Sequence, residues 1–257
     1  LTKIDRSILR TMIGLRKYIC SQFKPNVAKA LYDLFKAKNV MDFSMGWGDR
    51  LAGFYASMNT ELYVGVDPRR ENHPIYREQA DYYDGLLTMF ESEKQVRFIC
   101  EAAEDFYFDG YEDTFDIIFT SPPYFNIERY GDDETQSWVR YKDIDSWNYQ
   151  FLQKSLDNML PTLKSGGKLC VNISDVNAKT KGGAQYLKIC DPMNEFLDEY
   201  RDMEYIGCIG MEMAKRPNSG GAGTAKDNSQ FKEKTLEMVE KNKDKRFCEP
   251  IWIWEKK

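Results

Sequence analysis

Apolar residues along this chain fall into two patterns that take turns. Short, nearly continuous runs occupy 40–43, 62–66, 96–100, 115–119, 168–173, 205–211 and 248–254. Between them, residues 51–58, 75–90, 147–160 and 184–200 place apolar side chains at helical spacing. The short runs suit strands buried on both faces, and the periodic stretches suit helices laid against a sheet. Strand and helix alternating in this way predict a parallel sheet with helices on both faces. Residues 3–22, with Ile4, Ile8, Leu9, Met12, Ile13, Leu15 and Ile19, predict a helix ahead of the first strand. Pro25 opens a second helix through Ala37, with Val27, Leu31, Leu34 and Phe35 on one side.

No repeat or Pro/Gly/Ser linker divides the 257 residues, so 1–257 is read as one domain with 1–38 as N-terminal helices. Two stretches, 125–146 and 214–247, carry no clear periodicity. Connections of that length usually bind something or close over a site. Cys20, Cys100, Cys170, Cys190, Cys208 and Cys248 are scattered without a C-x-x-C pair, and His73 is the sole histidine. A cysteine–histidine zinc site is therefore not expected, no metal is assigned, and the cysteines read as reduced. No apolar run is long enough for a membrane span and no secretion signal is visible, so the expected location is intracellular: cytoplasm or nucleoid, or nucleus in a eukaryote. Leu1 stands where an initiator Met would, which leaves a longer parent protein open. The net charge of −5 argues against a surface that coats nucleic acid nonspecifically.

The most informative run is Thr120-Ser-Pro-Pro-Tyr124 at the end of the fourth apolar stretch. Pro122 and Pro123 lack backbone N–H groups and stop the ladder in a rigid, extended form. Both proline carbonyls are then expected to be available to a ligand, with a hydroxyl before them and an aromatic face after. Acceptors beside a flat surface suit a planar group carrying an exocyclic amine. The run resembles the catalytic motif S/D/N-P-P-Y/F/W of the amino-methyltransferases, which methylate amino nitrogens of nucleobases. By that resemblance Ser121, Pro122, Pro123 and Tyr124 are the catalytic residues.

Other segments extend the likeness. Asp42-Phe-Ser-Met-Gly-Trp-Gly48 leaves the first strand and opens a helix. It is similar to the S-adenosylmethionine-binding motif D-x-x-x-G-x-G of class I methyltransferases, with Phe43 at an aromatic position. Gly46 and Gly48 can take positive φ and let a ligand approach the backbone. Asp67 and Pro68 end the second strand about twenty residues later, the usual place for an acid that accepts ribose hydroxyls. Residues 97–106 resemble the adenine-contacting motif, with Glu101 and Ala102 as its contacts. Glu104 and Asp105 read equally well as first-turn helix residues. Lys24 and Pro25 lie where related branches place a further cofactor-contacting segment, and Ser121 borders the cofactor as well as the target.

The resemblance implies a Rossmann-like, doubly wound, seven-stranded methyltransferase sheet, mostly parallel, with an antiparallel last strand between the fifth and sixth. It implies S-adenosyl-L-methionine as cofactor and a DNA base as target, cytosine N4 slightly ahead of adenine N6. Serine before Pro-Pro favours cytosine, whereas the motif order favours adenine. A stacked base would have to be flipped out to reach such a pocket. Phe125, Arg129, Trp138, Lys215 and Arg216 are the candidate substrate contacts, through stacking and phosphate attraction. Neither long stretch forms an evident target-recognition domain, so a dimer or a partner subunit would complete recognition. RNA bases or a protein glutamine amide present similar planar amines, and a non-catalytic cofactor-binding subunit is the third alternative.

Overall fold

The computed structural model describes residues 22–87, 94–180, 183–213 and 247–257. The helix expected over 3–22 lies outside them except for residue 22. Of the stretch 214–247 only its last residue is described, so Lys215 and Arg216 are not.

Seven strands form one sheet: β1 (Asn39–Asp42), β2 (Leu62–Val66), β3 (Gln95–Ile99), β4 (Phe115–Thr120), β5 (Leu163–Asn172), β8 (Met203–Met213) and β9 (Phe247–Lys256). Their spatial order is β3-β2-β1-β4-β5-β9-β8. The first five run parallel, and β9 pairs antiparallel with both β5 and β8. This is the doubly wound sheet with an inserted antiparallel last strand that the resemblance implied.

Alternation along the central strands sends successive side chains to opposite faces. Met41, Val64, Ile118, Leu169 and Trp254 join one core with Trp147, Leu152 and Leu156. Val40, Tyr63, Ile117, Phe119, Cys170 and Ile253 join the other with Leu31, Tyr32, Leu51 and Phe54. Both faces are thus covered, as a mainly parallel sheet requires. Helix α1 (Pro25–Leu34) starts on a proline whose missing N–H costs nothing at that position. It crosses α2 (Asp49–Ala56) so closely that a Cβ on Gly53 would lie 2.6 Å from the Ala28 Cβ. Helix α3 (His73–Leu87) follows β2.

Three details depart from the expected elements. The stretch 125–146 contains two short helices, α4 (Ser137–Arg140) and α5 (Ile144–Ser146). The chain then passes through a π-helical segment, Trp147–Gln153, into α6 (Lys154–Met159). The helix expected over 184–200 is shorter. An antiparallel hairpin, β6 (Val176–Thr180) and β7 (Gly183–Leu187), precedes α7 (Cys190–Asp198). Asp175 fixes this switch, accepting the N–H groups of Ile189 and Cys190 at 2.7 and 2.9 Å. Among the described residues, Cys100, Cys170, Cys190 and Cys208 carry free thiols.

Candidate active site

In an open α/β sheet, ligands collect at the carboxyl ends of the strands where strand order reverses. Here β1 and β4 flank that point, and two adjoining hollows of about 570 and 450 Å³ open there. The first, on the β2 side, is walled by Phe43, Asp67, Pro68, Glu104, Pro123, Gln136 and Trp138. The second, on the β5 side, is walled by Phe23, Trp47, Arg50, Tyr124, Asn172 and Glu249. Ser44, Gly46, Ser121, Glu128 and Tyr130 belong to both and form the seam between them.

Asp67 sits just past the buried β2 and is itself 7% exposed. Its carboxylate accepts the N–H of Gly46 at 3.1 Å and of Arg69 at 2.9 Å. Burial outweighs these bonds and pushes its pKa up to about 6. An acceptor-only group held out of water beside a hollow is a place for ligand hydroxyls. Gly46 has φ +58, and its carbonyl takes bonds from Asn72 Nδ2 (2.8 Å) and Tyr76 Oη (2.7 Å). A Cβ on Gly46 would meet nothing nearer than the Ser44 carbonyl at 4.0 Å, so the hollow reaches the backbone there. Gly48 behaves differently. With φ +82 it caps α2, is buried against Gln79, and lines neither hollow.

Asp42 also lines neither hollow. Fully buried, it accepts Arg50 Nε at 2.8 Å, Arg50 Nη2 at 3.1 Å and Tyr63 Oη at 2.7 Å. Burial alone would favour an uncharged Arg50, but Asp42 more than reverses this and raises the guanidinium pKa above its ordinary value. The motif acid therefore positions a cation at the β5-side hollow and is not itself a wall. Lys24 and Pro25 stay outside both hollows, Lys24 bonding to the Glu212 carbonyl, while Gln22 and Phe23 line the second.

The acid after β3 is a correction. Glu101 is exposed on a bend and Ala102 is buried, and neither lines a hollow. Glu104 does, at 2% exposure, with Oε1 accepting Arg140 Nη1 at 2.7 Å and Tyr141 Oη at 3.1 Å. Burial raises its pKa despite those partners. No helix begins at 104; residues 101–106 form turns whose carbonyls are gathered by Asn158 Nδ2.

The Ser-Pro-Pro-Tyr run follows β4 at the seam. Ser121 faces both hollows, Pro123 the first and Tyr124 the second. Ser121 Oγ donates to Asn172 Oδ1 at 3.2 Å. The Tyr124 N–H reaches Glu128 Oε2 at 3.3 Å, and burial, with Glu249 and Glu128 nearby, raises the Tyr124 hydroxyl pKa. The two proline carbonyls differ, and Pro122 is buried and lines neither hollow. Pro123 accepts the Phe125 N–H at 2.9 Å, whereas none of the described groups donates to Pro122.

The candidate substrate contacts divide. Trp138 lines the β2-side hollow, its Nε1–H held by the Gly131 carbonyl at 2.8 Å. Arg129 is exposed outside the hollows, its guanidinium 4.5 Å from the Trp138 ring centroid. Phe125, with φ +46, is buried in the core with its ring centroid 6.2 Å from that of Trp147, so it offers no stacking face. Trp47, Arg50, Asn172 and Glu249 reach the site without sequence pattern pointing to them as contacts. Among the described residues no group of three or more His, Cys, Asp or Glu could hold a metal ion.

Several solved structures share the fold. The MccD protein matches with TM-score 0.51 at 14% identity, covering 90% of this chain and 96% of its own. The PH0851 structure gives 0.51 at 13%, covering 93% and 47%. The [4+2]-cyclase SpnF gives 0.50 at 13%, covering 89% and 81%. A cyclase among them shows that the fold alone does not name a reaction. No curated protein matches the chain. A family model described as DNA methylase matches residues 115–257, which hold the Ser-Pro-Pro-Tyr run, Asn172 and the closing strand β9. More than half of the chain lies within that match, and the chain belongs to the N6/N4 DNA methylase family.

Proposed function

We propose that this protein transfers a methyl group from S-adenosylmethionine to an exocyclic amino nitrogen of a DNA base, cytosine N4 slightly ahead of adenine N6. The observation that carries the reading is the seam: Ser121 lines both hollows, with Pro123 on the wall of one and Tyr124 on the wall of the other. When bound, S-adenosylmethionine supplies an electrophilic methyl group on a sulfonium.

The residues present fit that cofactor. Asp67 would accept the ribose hydroxyls, with Phe43, Pro68 and Glu104 around the adenine. Gly46 leaves room along the backbone, and Arg50 would face the carboxylate of the amino-acid end. Trp47, its ring 5.8 Å from that of Tyr130, covers the same side.

An amine attached to an aromatic ring is a weak nucleophile because its lone pair is delocalised. Ser121 would accept one of its N–H bonds and turn the lone pair toward the methyl donor. Tyr124 would hold the ring plane by stacking, worth ~1–3 kcal/mol. Orientation of this kind can supply about 7–11 kcal/mol in favourable cases. Pocket geometry demands a flipped or unpaired base, which costs a few kcal/mol. A DNA substrate implies work inside the cell. Lys215, Arg216 and a second copy or partner subunit would supply the remaining DNA contacts.

The test is incubation with unmethylated DNA and labelled S-adenosylmethionine, followed by digestion to nucleosides and mass spectrometry. N4-methylcytosine is the expected main product, with N6-methyladenine as the alternative base within the same chemistry. Label appearing in RNA or protein but not in DNA would overturn the proposal.

A further inference from the structure

Ser121 is held by a hydrogen-bond chain whose direction can be deduced. Asn172 ends β5 at 1% exposure and joins two partners. Its Nδ2 lies 2.9 Å from the Pro250 carbonyl and its Oδ1 lies 3.2 Å from Ser121 Oγ. The two ends of an amide are not equivalent, since the nitrogen only donates and the oxygen only accepts. A backbone carbonyl accepts and cannot donate, so the amide nitrogen must face Pro250. The amide oxygen must then face Ser121, and the serine hydroxyl must spend its one proton there.

We infer that Asn172 is a positioning residue, which takes the Ser121 hydroxyl proton and so fixes Ser121 Oγ as an acceptor toward the substrate amine. This rests on amine methylation at the seam. A hydroxyl free to rotate can donate to the amine's lone pair, the same electrons that must form the new carbon–nitrogen bond. With the proton committed to Asn172, the oxygen lone pairs are left for the amine's N–H. Ser121 Oγ is then an acceptor matched to an N–H of an –NH₂ group. A carbonyl at the same ring position would meet a like partner there, so this acceptor favours an amino base over its deaminated counterpart.

The anchor for this chain comes from the far end of the sequence. Pro250 lies on β9, whose antiparallel register with β5 sets Ile251 opposite Asn172. A main-chain carbonyl in a central strand is a rigid acceptor, which keeps the amide from flipping.

The experiment is a double-mutant cycle on single-turnover methyl transfer to whichever acceptor the wild type labels. Affinity for S-adenosylhomocysteine and melting temperature are measured alongside. Asn172→Leu should slow transfer roughly 10- to 100-fold. Its affinity for S-adenosylhomocysteine should stay within about twofold of wild type. Combined with Ser121→Ala, it should be no slower than Ser121→Ala alone, because the serine through which it acts is gone. Asn172→Asp keeps an oxygen to take the Ser121 proton in either protonation state and should retain most of the rate.

Rates that multiply in the double variant would overturn the inference, as would full activity in Asn172→Leu. Should Asn172→Leu fail to fold, a large loss in Asn172→Asp at unchanged melting temperature would overturn it equally. A wild type that labels neither DNA, RNA nor protein would instead remove the underlying reading.

Discussion

Asp67 should make cofactor affinity depend on pH while costing the empty protein stability. Its pKa stands at about 6 against 3.8 for an ordinary aspartate. That gap corresponds to roughly 3 kcal/mol. The native state therefore holds a proton between about pH 4 and 6 that the unfolded chain has already lost. Stability falls as pH rises through that window, and the whole penalty is present above pH 6. Asp67→Asn removes it but offers one acceptor where the Gly46 and Arg69 N–H groups now have two, a loss of about 1–2 kcal/mol. The variant should be about 1–2 kcal/mol more stable than wild type at pH 7 and should lose that advantage near pH 4. Binding should move in the opposite direction. Ribose hydroxyls donate to the ionised carboxylate, so wild-type affinity for S-adenosylhomocysteine should weaken about tenfold for each pH unit below 6. At pH 7.5 the variant should bind about 10- to 100-fold more weakly than wild type. Titration calorimetry from pH 5 to 8, paired with thermal melts, measures both. An affinity that is flat across pH 5 to 7.5, or equal in the two proteins, would refute the assignment of Asp67 to the ligand.

Other perturbations test neighbouring groups. Arg50→Met leaves Asp42 fully buried without its cation and should cost about 3–5 kcal/mol in thermal or denaturant melts. The double variant with Asp42→Asn should recover part of that loss. Gly46→Ala places a side chain at φ +58, which should cost ~1–2 kcal/mol of stability. Its methyl group also projects into the hollow, so S-adenosylhomocysteine affinity should drop about tenfold. Glu104→Gln should weaken cofactor binding about tenfold, whereas Glu101→Ala should leave it within about twofold. The reverse ranking would restore the acid that sequence alone favoured.

Periodicity revealed the sheet because strands buried on both faces and helices packed on them leave different signatures. The position of β9 came from likeness to known sheets, since no spacing in the run 248–254 specifies its neighbours. Site residues divide in a similar way. Ser121 and Asp67 follow strand ends directly, and local pattern found them. Asp42 sits in an equally good pattern, yet Arg50, eight residues later, captures its carboxylate, and only the folded loop brings the two together. Glu101 and Glu104 differ by three residues in a turn, where side-chain direction has no fixed period. The hairpin β6–β7 hid within an apparent helical repeat because Asp175 caps α7 from outside the helix. Asn172 and Pro250 are 78 residues apart and adjoin only through strand pairing, so no local signal connects them. Phe125 likewise adopts φ +46, which sequence does not announce.

The insertion of β9 has a consequence for how the molecule comes into being. Among the described residues β8 pairs only with β9 within the sheet, and β5 has β9 as its second neighbour. On the ribosome, β1 to β5 can assemble as they emerge, but among the described residues β8 gains its sheet partner when residues 247–256 leave the exit tunnel. The same strand carries Glu249 to the β5-side wall and the Pro250 carbonyl to Asn172. Nascent chains therefore complete the strand end that carries Asp67 early and the Asn172–Pro250 contact late. Contacts of such long sequence separation also close slowly. The β2-side and β5-side walls are thus completed at different times, with β9 closing the second.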